Sequence, residues 1–241
     1  MTTLKQVINP LLSLSLAAIM FSCNNNAEKK VESEATLDTS VTTTDPAPPA
    51  FTPFNVVEIS HSVKDYAAWR PLFNTDSVER KASGLKDIVV GRSVDNPNHI
   101  LIAMEVADVQ KAKDFAANPR LKQVMDKAGV NSKPVAEFWH VIRMDPEANE
   151  KQWILVTHKV KDFDAWLKVF DAEGPASRAS QGLIDVALAQ GIDDPNLVHI
   201  VFDTKDMAKA KASILSEEKK KLMQSAGVEG VPKIEYYNSA E

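Results

Sequence analysis

Two histidines stand at equivalent places in two similar stretches of the sequence. Residues 56–73 (VVEISHSVKDYAAWRPLF) and 153–170 (WILVTHKVKDFDAWLKVF) match at a constant offset of 97, which pairs His61 with His158. An imidazole titrates close to neutral pH, so each could act as a general acid or base, or donate a hydrogen bond to a ligand. His61 and His158 are therefore the candidate catalytic residues, although both could instead be structural histidines.

Two charged residues on predicted strands are candidates for ligand binding. Glu58 and Arg92 occupy strand positions, where a charge is unexpected if both faces of the sheet are dry. Their counterparts in the second stretch, Leu155 and Gln190, do not match them. This difference indicates either a polar pocket that only one half has kept, or exposure at a sheet edge.

Aromatic residues and a third histidine complete the set of candidates. Trp139 and Tyr237 are equivalent residues of the last predicted strand, where they either line a ligand pocket or fill the interior. His199, on a strand of the second stretch, is a further candidate for ligand binding. Trp69 and Trp166 could stack on a planar ligand, but their helical spacing with neighbouring aromatic residues favours core packing.

Motifs of several common enzyme chemistries are missing from the sequence. It contains no HExxH, CxxC, glycine-rich phosphate loop or G-x-S-x-G. The histidines and carboxylates show no metal-ligand spacing, so we predict neither a metal site nor another cofactor. The net charge of −5 comes from residues of both signs without a basic cluster, which argues against a nucleic-acid partner.

The elements that must position these candidates occur twice. After a one-residue insertion the offset becomes 98 and holds to the end, so that Gly84 and Gly129 match Gly182 and Gly227. A single gap over so many matches indicates a duplication. Each copy reads as strand, helix, two strands, helix and strand. This β-α-β-β-α-β order is that of the ferredoxin-like fold, and it predicts an α+β protein.

Three features together resemble the dimeric α/β-barrel superfamily, which includes antibiotic-biosynthesis monooxygenase-like domains. They are the element order, the strand–Asp–aromatic opening of the first helix (HSVKDYAAW and HKVKDFDAW) and the Gly-Val exit from the second helix. The resemblance covers nearly all of residues 54–238. Most members build the barrel from two chains. Here it implies two ferredoxin-like repeats packed sheet to sheet in one chain, an intramolecular pseudo-dimer that is itself a monomer.

The resemblance implies a fold more directly than a reaction. Members include cofactor-independent monooxygenases, haem-handling enzymes, isomerases and proteins without an assigned activity. Haem-handling members usually take their iron ligand from the second helix, and neither 108–128 nor 206–226 contains a histidine. Haem degradation by that route is therefore disfavoured. If the strand side of His61 and His158 faces the barrel interior, they could serve catalysis; if it faces the helices, they are structural, which is the favoured interpretation.

The first 22 residues differ from the rest of the chain. Lys5 precedes an apolar run over 11–21 (LLSLSLAAIMF), which is too short to span a membrane but typical of a signal-peptide core. The run ends at Met20-Phe21-Ser22-Cys23, which resembles the lipobox of bacterial lipoproteins, and Cys23 is the only cysteine. The resemblance implies a lipid anchor on Cys23 in the bacterial cell envelope, with the outer membrane favoured. The alternative is an ordinary cleaved signal with an incidental cysteine.

These observations divide the chain into five segments. They are a signal peptide (1–22), a disordered tether rich in Thr, Pro and Glu (23–53), the first repeat (54–144), a linker (145–151) and the second repeat (152–241). The predicted function is a membrane-tethered barrel that binds a small apolar molecule between its two sheets, with its catalytic status open. The alternatives are a cofactor-independent monooxygenase or isomerase, and a non-catalytic envelope interaction module with a filled interior. A cavity of roughly 300 Å³ or more with convergent polar groups would favour ligand binding or catalysis.

Overall fold

A computed structural model describes residues 51–149 and 151–240 of the chain. The predicted signal peptide, Cys23 and most of the predicted tether lie outside the described residues, so lipidation and anchoring stay predictions. Within the described ranges, no helix is long and apolar enough to cross a membrane.

The described residues form the same series of elements twice. The first repeat contains β1 (Phe54–Ser62), α1 (Tyr66–Thr75), α2 (Ser77–Ala82), β2 (Leu85–Ser93), β3 (His99–Val106), α3 (Val109–Ala116), α4 (Pro119–Lys127) and β4 (Val135–Met144). The second repeat contains β5 (Gln152–Val160), α5 (Phe163–Glu173), α6 (Pro175–Ser180), β6 (Ile184–Gly191), β7 (Leu197–Asp203), α7 (Met207–Ile214), α8 (Glu217–Ser225) and β8 (Val228–Ser239). The predicted βαββαβ order is confirmed, with each predicted helix divided into two.

Local hydrogen-bonding chemistry explains where the helices begin and break. Asp65 and Asp162 cap α1 and α5, each accepting a hydrogen bond of 2.7 Å from the backbone N–H three residues on. The second predicted helix of the first repeat breaks before Pro119, because Asn118 caps a new helix and the proline has no N–H to continue the old one. In the second repeat Ser216 caps α8 in the same way.

The eight described strands close into one antiparallel barrel in the order β1-β3-β2-β8-β5-β7-β6-β4. Each repeat contributes four neighbouring strands. The two sheets are joined at their edges, where Gly91 of β2 lies opposite Ser239 of β8 and Trp139 of β4 lies opposite Gly191 of β6. The two repeats are therefore hydrogen-bonded to each other through two pairs of strands, in addition to packing sheet to sheet. The β2–β8 pairing covers only Gly91–Ser93, whereas the β4–β6 pairing covers Trp139–Met144.

Four strands, β1, β3, β5 and β7, are buried on both sides, by helices on one side and by the barrel interior on the other. Val57 and Ile59 of β1 pack with Trp69 in the helix-side core, whereas Val56 packs in the interior. Successive side chains on a strand point to opposite faces, so Glu58 shares the interior side with Val56. Polar and apolar residues occur on both sides of β1. The position of a candidate along the strand, and not its residue type, therefore decides whether it reaches the interior.

Candidate functional site

A cavity of about 260 Å³ lies inside the barrel, between its two sheets. Its wall is mostly apolar and includes Phe54, Val56, Leu101, Ala103, Trp139, Val141, Trp153, Leu155, Ala187, Ala189 and Val201. The polar side chains that line it are Glu58, His199 and Asp203. The volume lies just under the roughly 300 Å³ at which ordinary ligand pockets begin. The interior is therefore not filled by side chains, and it has room for a small molecule.

Glu58 and His199 meet across this interior and link the two repeats. The β5–β7 register places Thr157 beside His199, and Thr157 Oγ1 lies 2.8 Å from His199 Nδ1. His199 Nε2 lies 3.3 Å from Glu58 Oε1, which comes from β1 on the opposite sheet. All three side chains are buried, and Glu58 is only 7% exposed. The arrangement holds the imidazole by one nitrogen and points the other towards a carboxylate.

Two nitrogens in this group lack a satisfied hydrogen bond among the described residues. The ring of Trp139 stacks on His199 with centroids 4.5 Å apart, and its buried Nε1 has no partner. His199 Nε2 is close to Glu58 but is not aligned with it as a hydrogen bond. A buried polar atom without a partner costs free energy, so such atoms mark places where a ligand atom or a water would be stabilised.

The equivalent positions in the other half of the barrel are apolar. The duplication pairs Glu58 with Leu155, Trp139 with Tyr237 and His199 with Leu101. Leu101, Leu155 and Tyr237 form one buried cluster. Burial raises the pKa of the Tyr237 phenol, and the carboxylates of Glu235, Glu58 and Glu137 raise it further. Tyr237 is thus a neutral core residue that does not line the cavity, and the Glu58–His199 pair has no polar counterpart at the matching positions, Leu155 and Leu101.

Arg92 lies away from the cavity. It stands on the helix side of β2, with its guanidinium 4.3 Å from the centre of the Tyr66 ring. Its Nε donates to the carbonyl of Pro97 at 2.8 Å. Gln190, the counterpart that differs in type, donates to the carbonyl of Pro195 at 2.9 Å. The two residues therefore stabilise equivalent turns, one in each repeat, and the mismatch that suggested a ligand-binding role for Arg92 has a structural explanation.

His61 and His158 face the helices and lie outside the barrel interior. Their rings pack against Trp69 and Trp166, with centroids 5.9 and 5.6 Å apart. Neither imidazole has a hydrogen-bond partner among the described residues. Burial lowers the pKa of each to about 4, and the nearby His99 and His199 contribute in the same direction.

Each of these histidines borders a small, largely apolar cleft under the helices. The two clefts have volumes of about 60 Å³ each. A neutral imidazole in such a space has no room beside it for a substrate of ordinary size and no partner for proton transfer. The geometry favours structural histidines at both positions.

Three residues that complete this site were not among the sequence candidates, and one of them, Thr157, supports His199 without lining the cavity. Thr157 holds His199, while Trp153 and Asp203 line the wall. Side chains two residues apart on a strand share a face. Trp153 and Thr157 are each two residues from Leu155, and Asp203 is four residues from His199. All three could therefore have been predicted if the interior side of β5 and β7 had been known.

A metal ion or a haem held at the helices would place specific requirements on the described residues. No group of three or more His, Cys, Asp or Glu among them is placed to hold a metal. The helices α3, α4, α7 and α8 contain no histidine. The helix-side clefts, at about 60 Å³, are far smaller than a macrocycle.

Solved structures share this fold at low sequence identity. A candidate monooxygenase from Fusobacterium nucleatum superposes with a TM-score of 0.52 at 11% identity, over 78% of this chain and 93% of its own. An anthrone oxidase-like protein gives 0.53 at 14% identity, over 78% and 92%. A haem-binding protein from Thermus thermophilus gives 0.50 at 13% identity, over 79% and 92%. Identities this low establish the fold alone. No family model matches the chain, and no curated protein matches it either.

Proposed function

We propose that this chain is a membrane-tethered lipoprotein whose tandem α/β barrel binds a small, mainly apolar molecule between its two sheets. The observation that carries the proposal is the cavity of about 260 Å³, which combines apolar walls with the buried Glu58–His199 pair. Such a site suits an apolar body with one polar group, since apolar walls supply most of the binding free energy and a few polar atoms fix the orientation. Two of the proteins that share the fold are a candidate monooxygenase and a haem-binding protein, which is compatible with a barrel that handles small molecules.

Binding in the interior can be tested with a neutral probe, 2-phenylethanol, by isothermal titration calorimetry. Ala103 lines the interior cavity, and Ala128 lines a helix-side cleft. The Ala103→Leu variant adds three carbons to the cavity and should abolish binding. Ala128→Leu makes the same change on the other side of the sheet and should leave binding intact. Equal binding by both variants, or a parent protein that never saturates, would contradict the proposed site.

The tether is a separate part of the proposal. A lipid on Cys23 would anchor the chain to the bacterial envelope, with the following residues of the tether, up to residue 53, holding the barrel away from the membrane. The mature N-terminus should carry the mass of the acyl groups on Cys23, and Cys23→Ser should remove it. A cleaved chain with an unmodified cysteine would exclude the lipid anchor without affecting the barrel.

One observation favours an enzymatic variant of the same site. Glu58 lines the cavity and would accept a proton from a bound substrate as a carboxylate base, while His199, held at Nδ1 by Thr157, faces that carboxylate with Nε2 and supports it. This arrangement suits proton transfer on a bound substrate, as in an isomerase or a cofactor-independent monooxygenase. Under this alternative His199→Gln should abolish turnover of a bound substrate and keep its binding. Retention of both would leave a binding protein.

A further inference from the structure

The cavity is acidic, although its walls are mostly apolar. Glu58 and Asp203 are the carboxylates among its lining residues, and none of the described residues that line it is Lys or Arg. Each buried carboxylate disfavours a second negative charge nearby, because the low-dielectric interior screens their repulsion poorly. A ligand with a carboxylate or phosphate group therefore fits this cavity badly.

Glu58 in particular lacks a full positive counter-charge within the protein. No described lysine or arginine lies within ion-pair distance of it, and its charged contact is the imidazole of His199 at 3.3 Å. The lysine on the same side of the barrel, Lys233, is held by Glu137 and Glu235 at 3.6 and 2.9 Å. A carboxylate that is 7% exposed is costly unless a positive charge or several hydrogen bonds compensate it.

Aromatic rings form part of the same wall. Phe54, Trp139 and Trp153 line the cavity. The Trp153 ring packs directly against Gly91. A Cβ on residue 91 would lie 2.9 Å from the indole ring, so the ring can occupy this position only because residue 91 is glycine. His199 covers one face of Trp139. The faces of aromatic rings attract organic cations, and the attraction is strongest where water is excluded.

We propose that the polar group of the ligand is a protonated amine, so that the barrel binds a small aromatic or alkyl ammonium compound. This inference rests on the proposed function and specifies its ligand class. The ammonium would lie beside Glu58 and donate to its carboxylate, while the apolar body packs on Leu155, Ala103 and the aromatic wall. An ammonium has no acceptor atom, so it cannot accept the hydrogen bond that the indole N–H of Trp139 offers. A water or an oxygen atom elsewhere on the ligand would accept it, and the ligand would still carry one positive charge.

Three compounds that differ in one group separate the possibilities. 2-Phenylethylamine, 2-phenylethanol and phenylacetate are titrated into the purified full-length protein at pH 7 by calorimetry. The amine should bind at least tenfold more tightly than the alcohol, and phenylacetate should not bind. Glu58→Gln should reduce the amine's advantage to about threefold or less while the alcohol's affinity stays unchanged. Glu79→Gln, which removes a carboxylate of α2 on the helix side of the sheet, where it pairs with Arg120, is the matched control and should keep the full preference.

The outcomes distinguish this inference from the proposed function. If the alcohol binds as well as the amine, and Ala103→Leu abolishes both, the cavity binds small molecules but the amine preference is wrong. Tighter binding of phenylacetate would overturn the inference in the same way. If none of the three compounds binds, both proposals fall. The affinity ratio in the parent protein tests the preference without any variant, so the inference can still be overturned if the Glu58→Gln variant fails to fold.

Discussion

Acidification should destabilise the barrel through His61 and His158. Both imidazoles are buried without hydrogen-bond partners among the described residues, and burial lowers the pKa of each from 6.5 to about 4. Between these two values the unfolded chain binds more protons than the folded one, so stability falls as the pH falls. Above pH 6.5 the effect vanishes, and below about pH 4 it levels off. At pH 5 each histidine should cost about 2 kcal/mol relative to pH 7, from 1.36 kcal/mol per pKa unit.

The loss of unfolding free energy between pH 7 and pH 5 can be measured by denaturant unfolding. The two proteins compared are the parent and the His61→Leu/His158→Leu double variant. The parent should lose about 4 kcal/mol more than the double variant over this interval, and each single variant should recover about half of the difference. At pH 7 the double variant should be at least as stable as the parent, since leucine fills a similar volume and leaves no polar atom unpaired. Parallel pH profiles would refute the reasoning, as would a large loss of stability at pH 7.

Three further predictions concern the frame that surrounds the site. Arg80 is buried, donates to both oxygens of Asp87 at 2.9 and 2.6 Å and lies 3.7 Å from the centre of the Phe73 ring. Arg80→Ala should cost about 1.5–3 kcal/mol in denaturant unfolding, because it removes the charged hydrogen bonds and the packing of the guanidinium, while the exposed Asp87 carboxylate stays hydrated. Asp162→Ala removes the N-cap of α5 and should cost about 1 kcal/mol by the same assay. Gly91→Ala should push Trp153 towards the cavity and weaken 2-phenylethanol binding in calorimetry; unchanged affinity would show that the ring can move aside.

The order of the elements could be predicted from the sequence because local chemistry specifies it. Asp65 and Asp162 cap helices wherever they stand, and the duplication provides each observation twice. The breaks within the helices were missed, since the polar Asn118 and Ser216 look like ordinary exposed residues until their side chains are seen to cap a new turn.

The interior side of the strands could not be predicted from the hydrophobic pattern. In β1 the helix side and the barrel side are both buried, so Val56 and Val57 are equally apolar although they face opposite ways. Alternation of polar and apolar residues, which normally identifies the solvent side, is absent in such strands. The sequence shows that His61 and Ile59 share a side but not which side that is. The candidates Glu58, Trp139 and His199 came together in the cavity, whereas Arg92, His61 and His158 lie elsewhere.

The central claim is that a small molecule occupies the interior between the two sheets. Native mass spectrometry of the protein purified gently from its own cells tests this most directly. We expect a bound mass on the parent that persists in Ala128→Leu and disappears in Ala103→Leu, because only the second substitution fills the cavity. A bound mass that survives in Ala103→Leu, or a parent that carries no ligand and binds none of the three probes, would contradict it.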